Sequence, residues 1–99
     1  MARFDVHRVA GTAGYLLDVQ SGHLFALKSR MMVPLLPPTA RLPAIRDLNP
    51  LLRVEGEEVA MMTHFMAAVP VRELGQPVAN LLDQADDITR ALDVLLTGF

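Results

Sequence analysis

The sequence of 99 residues contains no cysteine. This absence excludes disulfide bonds, zinc sites built on thiolates and cysteine nucleophiles, and it fits a reducing compartment, so we expect a cytoplasmic protein. A large excess of positive charge is also lacking, because the formal net charge is −2. The arginines are scattered, which leaves no basic surface of the kind that binds nucleic acid, so we expect no direct contact with DNA or RNA.

Long uninterrupted apolar runs are missing as well, although 52% of the residues are hydrophobic. The longest apolar stretch, MMVPLLPP, is too short and too broken by proline to span a bilayer, and the start, MARFDVHRV, lacks the apolar core of a signal peptide. We therefore expect neither a membrane segment nor a secretion signal. The length and apolar content predict a single domain over residues 1–99 with one core.

Side chains that could form an active site are sparse. His7, His23 and His64 are not spaced as ligands of one metal ion, and we expect each to lie on the surface. The acidic residues at 55–58 are expected to be solvated, and no glycine-rich loop precedes a helix. The residues themselves thus indicate no catalytic, metal or cofactor site.

Short apolar runs with partial alternation predict strands in the first part of the chain. FDVHRV and YLLDVQ, separated by AGTAG, predict a hairpin or meander. HLFAL and RMMVPLL are two further runs that we interpret as strands, with Pro34 at an edge or a bulge. The prolines of residues 37–50 then predict a long surface excursion.

The clearest hairpin is predicted by LLRV and VAMMT, which a short acidic turn containing Gly56 connects. FMAAVPVREL is predicted to be the last strand, ending at the turn GQP. The segment DQADDITRALDVLL then predicts a C-terminal helix. Asp83, Asp86 and Asp87 are expected to cap its start, and Asp86 and Arg90 stand at the spacing of a surface pair.

The last turn of this helix is apolar around most of its circumference. One stripe, expected to face the sheet, consists of Ala85, Ile88, Leu92 and Leu95. Val94 and Leu96 fall outside that stripe, so a small sheet alone cannot cover the helix end. Two interpretations account for this pattern. The helix is well buried within the chain, or its end lies in a subunit interface or presents a binding surface.

Several motifs resemble the CcdB toxin family in order and spacing, from Phe4 to the end. They are DVQS at 18–21, RMMVPL at 30–35, MMTHFMAAVPV at 61–71, GQPVANL at 75–81 and DIT at 87–89. The third is the most specific, because strand patterning does not dictate its methionines or its Val-Pro-Val. The resemblance implies a mainly β fold with a C-terminal helix (α+β): a five-stranded antiparallel sheet with a small extra β-element, related to SH3-like barrels and MazF, in a symmetric homodimer.

The resemblance also implies a function. Members of this family are toxins of type II toxin–antitoxin systems that bind the A subunit of DNA gyrase and trap its cleaved-DNA complex, without catalysing a reaction or using a cofactor. A CcdA-like antitoxin with a disordered acidic tail neutralises the toxin and represses the operon together with it. The expected partners are therefore a second copy of the chain, gyrase and the antitoxin.

The same resemblance assigns roles to particular residues. Gyrase binding is expected from a surface formed by Leu24, Leu96, Thr97, Gly98 and Phe99. The dimer interface is expected at Val94, Leu95 and Leu96, and antitoxin binding at Arg41 and Arg46. The C-terminal tripeptide, residues 97–99, reads Thr-Gly-Phe where the family usually has Trp-Gly-Ile, and His23 and Asp93 also differ from the family pattern.

Two other functions stay open. The chain could be a degenerate toxin that is kept as antitoxin partner and co-repressor, since the tryptophan is absent. It could also cut RNA as the MazF-type toxins do, with arginines in a basic groove, for which Arg8, Arg30, Arg41 and Arg53 are available. The negative net charge and the specific motifs favour the gyrase-directed toxin over the ribonuclease.

Overall fold

The computed structural model describes residues 2–38 and 45–98. Within them an antiparallel sheet forms a nearly closed barrel, followed by one α-helix, α1, at Ala85–Thr97. The predicted class, mainly antiparallel β with a C-terminal helix, is therefore confirmed. The described residues form seven strands rather than five: β1 Asp5–Arg8, β2 Tyr15–Asp18, β3 Ser29–Leu36, β4 Leu51–Val54, β5 Glu57–Met61, β6 Ala67–Pro70 and β7 Ala79–Asn80.

Strand β3 is the centre of the sheet. The order of strands is β4-β5-β3-β2-β1-β7, and β6 pairs with the first half of β3 while β5 pairs with its end. Pro34 lies opposite Leu16 of β2, where β3 changes from one partner to the other, and its carbonyl accepts a hydrogen bond from the Met62 N–H at 2.9 Å. The expectation of an edge position was wrong, because β3 is an inner strand. The nitrogen of Pro34, which carries no hydrogen, is on the side of β3 where its partner changes from β6 to β5, so no hydrogen bond to β2 is lost.

The predicted hairpin of β4 and β5 is present, with Val54 opposite Glu57. Its two turn residues, Glu55 and Gly56, both have positive φ angles, 51° and 83°. Positive φ at both central positions matches the right-handed twist of the strands, and glycine adopts it without strain. The hairpin of β1 and β2 is also confirmed, with Val6 opposite Leu17.

Two strand predictions were wrong. HLFAL does not form a strand, because residues Gly22–Leu24 form a 3-10 helix whose first turn is closed by the Ser21 side chain, which accepts from the His23 N–H. The Gln20 side chain bridges this segment, donating to Ser29 O and accepting from the Met31 N–H at 3.0 Å. The second error concerns the last strand, since the two-residue strand β7 follows β6 and pairs with β1.

The segment that was predicted to be a surface excursion, residues 37–50, packs against the core at its end, just before β4. Residues 39–44 lie outside the described part of the chain, but Leu48 and Asn49 are buried. The Asn49 side chain donates to Met61 O at 3.0 Å, and the Thr63 hydroxyl donates to Leu48 O. Thus the second half of this segment is fixed to β5 and to the turn that follows it, and only its solvent-facing side fits the prediction of a surface excursion.

Helix α1 packs its apolar stripe on the sheet, as predicted: Ile88, Ala91 and Leu92 are buried, while Ala85 and Leu95 are half-buried. The predicted capping by aspartates was wrong. The N-cap residue is Gln84, which makes no capping bond and whose amide instead bonds the N–H and C=O of Arg53 on β4. Arg90 lies 3.7 Å from Asp87 rather than pairing with Asp86.

Phe4, Val6, Leu17, Val33, Leu35 and Ile88 belong to the core, together with Met61. Met32 and Met62 are also buried, as is common for methionine, whose flexible side chain fills irregular core space. In the described part of the chain, no helix combines the length and the apolar character that a membrane crossing requires.

Candidate functional site

The end of α1 forms an exposed surface that is partly apolar. Leu96 is 68% exposed, and the Thr97 hydroxyl donates to Asp93 O at 2.6 Å. Gly98 has a φ of 82° and its N–H donates to Val94 O at 3.1 Å, which is a left-handed helix cap. Phe99 lies outside the described residues. The backbone of Gly98 therefore sets the direction in which the chain leaves the helix.

An apolar groove with a volume of about 510 Å³ runs beside this helix end. It is lined by residues from α1, from the ends of β2 and β3 and from the segment before β6, among them Val19, Met31, Met66, Leu92 and Leu96. Arg3 and Asp93 add charges of opposite sign to the lining. Met31 and Met66 thus line a concave surface that includes a predicted gyrase-binding residue, Leu96.

Leu24, the other apolar residue of the predicted gyrase surface, lies in the 3-10 helix Gly22–Leu24 and is 46% exposed. It is not among the described residues that line the apolar groove. Leu24 is followed by two further exposed apolar side chains, Phe25 and Leu27. The structure therefore places Leu24 and Leu96 on exposed segments without bringing them together in one groove.

The residues predicted for the dimer interface differ in exposure. Val94 and Leu95 are half-buried within the single chain, and Leu96 is exposed. Of the predicted antitoxin-binding arginines, Arg46 is exposed beside Asp87 and Arg90, around a cavity of about 250 Å³. Arg41 lies outside the described residues.

A buried ion pair was missed by the sequence analysis. Arg30 on β3 and Asp18 on β2 are 1% and 0% exposed, and the guanidinium donates from Nε at 2.8 Å and from Nη2 at 3.0 Å to the two carboxylate oxygens. Nη2 also donates to Gln20 O at 3.3 Å. Asp18 lies in the motif DVQS and Arg30 in the motif RMMVPL. A charged residue at an alternating strand position was therefore the signal that could have revealed this pair.

Two of the three histidines lie on the surface as expected, and the third is buried. His23 and His64 are exposed, but His7 is 1% exposed and its Nδ1–H donates to Gly75 O at 2.9 Å. The prediction that His7 lies on the surface was wrong, because its neighbours on β2 and the segment at Gly75 cover it. Among the described residues, no three potential ligands of the His, Cys, Asp or Glu types are grouped to hold a metal ion.

The arginines considered for a ribonuclease do not gather in a basic groove within the described residues. Arg30 is buried in its pair with Asp18. Arg8 lies 4.0 Å from Glu55, and Arg53 donates to Gly56 O, so both are near the acidic turn between β4 and β5. Negative charge at this turn disfavours a phosphate backbone.

The family model of the CcdB protein matches this chain over residues 3–98. The match covers nearly the whole chain and includes the motifs on β2, β3, β5, β6 and α1.

Proposed function

We propose that this chain, which belongs to the CcdB family and is the toxin of a CcdA/CcdB toxin–antitoxin system, acts by binding the A subunit of DNA gyrase. Binding would trap the complex of gyrase with cleaved DNA, with no reaction catalysed by the toxin itself. The toxin acts in the cytoplasm as a homodimer. Its CcdA-like antitoxin neutralises it and joins it in repressing the operon.

The observation that carries this proposal is the open end of α1. Leu96 is exposed there beside the apolar groove, and the left-handed Gly98 follows it. Exposed apolar surface next to a concave apolar surface is typical of a site of protein–protein contact. Leu96, Thr97 and Gly98, three of the residues for which the family resemblance implies gyrase binding, belong to this helix end, whereas Leu24 lies on another segment.

The replacement of the usual tryptophan by Thr97 favours one alternative, a degenerate toxin that serves only as antitoxin partner and co-repressor. A tryptophan face can stack on an arginine with an attraction of about 0.5–2 kcal/mol, and threonine lacks such a face. Phe99 offers the remaining aromatic ring of the tripeptide. The ribonuclease is the weakest alternative, since Arg30 is committed to Asp18.

Induced expression in the native host, with and without the neighbouring upstream reading frame, tests these functions against one another. We expect growth arrest with double-strand DNA breaks, relieved when the upstream frame is expressed too. Arrest with RNA cleavage and intact DNA would instead identify a ribonuclease. Absence of arrest would identify the degenerate toxin.

The dimer yields a first prediction. We expect Leu96→Asp to weaken self-association of the chain, because a carboxylate buried in an apolar interface without a partner costs several kcal/mol. Sedimentation velocity at micromolar concentration measures the result. Leu82→Asp is the matched control, since Leu82 is 67% exposed but precedes α1, far in sequence from the helix end. A parent chain that sediments as a monomer contradicts the proposed dimer.

Antitoxin binding yields a second prediction. Exposed charge pairs are screened by salt, and the expected tail is acidic, so we expect its affinity for the toxin to fall as the ionic strength rises. Arg46→Gln should lower the affinity and flatten this salt dependence, whereas Arg53→Gln, at an exposed position next to the acidic turn, should change neither. Titration calorimetry at low and high salt checks both. An affinity independent of salt would refute the assignment.

A further inference from the structure

A second concave surface lies away from the helix end. This cationic cavity has a volume of about 320 Å³ and is lined by Phe25, Leu27, Lys28, Arg30, Val71 and Arg72. Its two walls are fixed to each other, because Ser29 pairs with Pro70, Arg30 pairs with Val69, and the Val71 N–H donates to Lys28 O at 2.8 Å. The cavity is thus held by the sheet rather than by a loose loop, and its volume is within the range of small-ligand sites.

Arg30, one of the lining residues, has a guanidinium donor without an acceptor. Its Nε and Nη2 atoms bind Asp18 and Gln20, but the buried Nη1 atom has no acceptor among the described residues. A buried guanidinium nitrogen without an acceptor is unfavourable, and most such groups in proteins are bonded to protein, water or ligand. Asp18 does not satisfy Nη1, since its two hydrogen bonds with this guanidinium are to Nε and Nη2.

The rest of the lining divides into charged and apolar parts. Lys28 and Arg72 add two exposed cations, and no acidic residue is among the described residues that line the cavity. Glu73, next to Arg72 in the 3-10 helix Val71–Glu73, is exposed and outside the lining. Phe25, which is 77% exposed, stands with Leu27 and Val71 as the apolar part. A ligand that satisfies both parts carries an anion beside an apolar group.

We propose that the cavity lined by Phe25, Leu27, Lys28, Arg30, Val71 and Arg72 binds a carboxylate that is attached to an apolar group, with the carboxylate paired to Lys28 and Arg72, the two exposed cations of the lining. A carboxylate suits the site because it accepts from a planar guanidinium, and its one charge is neutralised by Lys28 or Arg72. None of these lining residues belongs to the apolar groove or the tripeptide. The proposal is therefore independent of the gyrase proposal.

N-acetyl-leucine is the first probe, and N-acetyl-leucine amide, which lacks the charge, is its matched control. In titrations of ¹⁵N-labelled protein, we expect N-acetyl-leucine to shift the backbone amides of Lys28, Arg30 and Val71 and to saturate by about 10 mM. The amide should bind about tenfold more weakly or not at all. Equal binding of acid and amide overturns the proposal.

Variants separate the two parts of the cavity without disturbing the buried pair. We expect the double variant Lys28→Gln, Arg72→Gln to weaken binding of N-acetyl-leucine about tenfold or more, while Arg53→Gln leaves it unchanged. Phe25→Ser should also weaken binding, and Phe65→Ser, at another exposed phenylalanine, should not. Thermal unfolding of each variant verifies that it folds. Unchanged binding in the double variant refutes the site.

A second pair of probes distinguishes a free small molecule from a protein segment as the source of the carboxylate. The probes are terminally blocked peptides containing Leu-Glu-Leu or Leu-Gln-Leu. Tighter binding of the glutamate peptide than of N-acetyl-leucine supports the site and identifies a protein partner. Binding of N-acetyl-leucine without the peptide supports the site and identifies a small molecule. Failure of both probes overturns the proposal.

Discussion

Deletion of residues 97–99 is expected to abolish growth arrest while the fold and antitoxin binding persist. The hydrogen bonds that the deletion removes are at the exposed helix end and include those from the Thr97 hydroxyl to Asp93 and from the Gly98 N–H to Val94. The buried residues of α1, Ile88, Ala91 and Leu92, are all retained. Circular dichroism and antitoxin titration should therefore match those of the parent chain. The chain would lose only the tripeptide, which is one part of the surface that we propose contacts gyrase.

Binding to a purified gyrase A-subunit fragment measures the same effect in vitro. Truncation of an aromatic anchor at the centre of an interface commonly costs about 2 kcal/mol or more, so Phe99→Ala should weaken binding about 30-fold. Thr97→Trp should strengthen binding to a gyrase typical of the family, because it supplies the missing stacking surface. If the deletion variant binds as tightly as the parent, the tripeptide is not the site.

Asp18→Asn is expected to lower the free energy of unfolding by about 3–5 kcal/mol, since it leaves the buried Arg30 guanidinium without its carboxylate. Such a loss is a large share of the 5–15 kcal/mol by which domains are typically stable. The exposed pair of Asp87 and Arg90 is the matched control, and Asp87→Asn should cost about 0.5 kcal/mol or less. Urea unfolding measures both variants.

A double variant distinguishes an unpaired charge from lost packing. Asp18→Leu with Arg30→Met removes both charges and fills the same space with apolar atoms. Replacing both members of a buried pair often restores stability, so the double variant should be more stable than Asp18→Asn. If the double variant is less stable than the single one, packing around the pair rather than the unpaired charge determines the cost.

Local signals explain which parts of the fold could be predicted. The hairpin of β4 and β5 was predictable because a two-residue turn with Gly56 between apolar runs is determined within a few residues. The segment HLFAL has the composition of a strand, but its conformation is fixed by side chains outside it, those of Gln20 and Ser21. Strand β7 has two residues and therefore no periodicity to detect.

In the candidate site, too, features determined within a few residues could be predicted, whereas features that depend on distant segments could not. The exposure of Leu96 follows from the helical stripe, because a residue off the stripe cannot face the sheet. The groove beside it could not be predicted, since Val19, Met31 and Met66 come from separate segments that only the sheet brings together. The pair of Asp18 and Arg30 likewise depends on the register of β2 against β3, which the sequence does not state.

The pairing of β1 with β7 has a consequence for the synthesis of the chain. It joins the first strand to the seventh, and the Asn80 amide donates to the Asp5 carboxylate from 75 residues away. Contacts of such long sequence separation form late, because loop closure must precede them. A growing chain on the ribosome consequently cannot complete its sheet until Ala79 and Asn80 have emerged, and α1 follows directly after them. The folded toxin thus forms only after strand β7 has been synthesised.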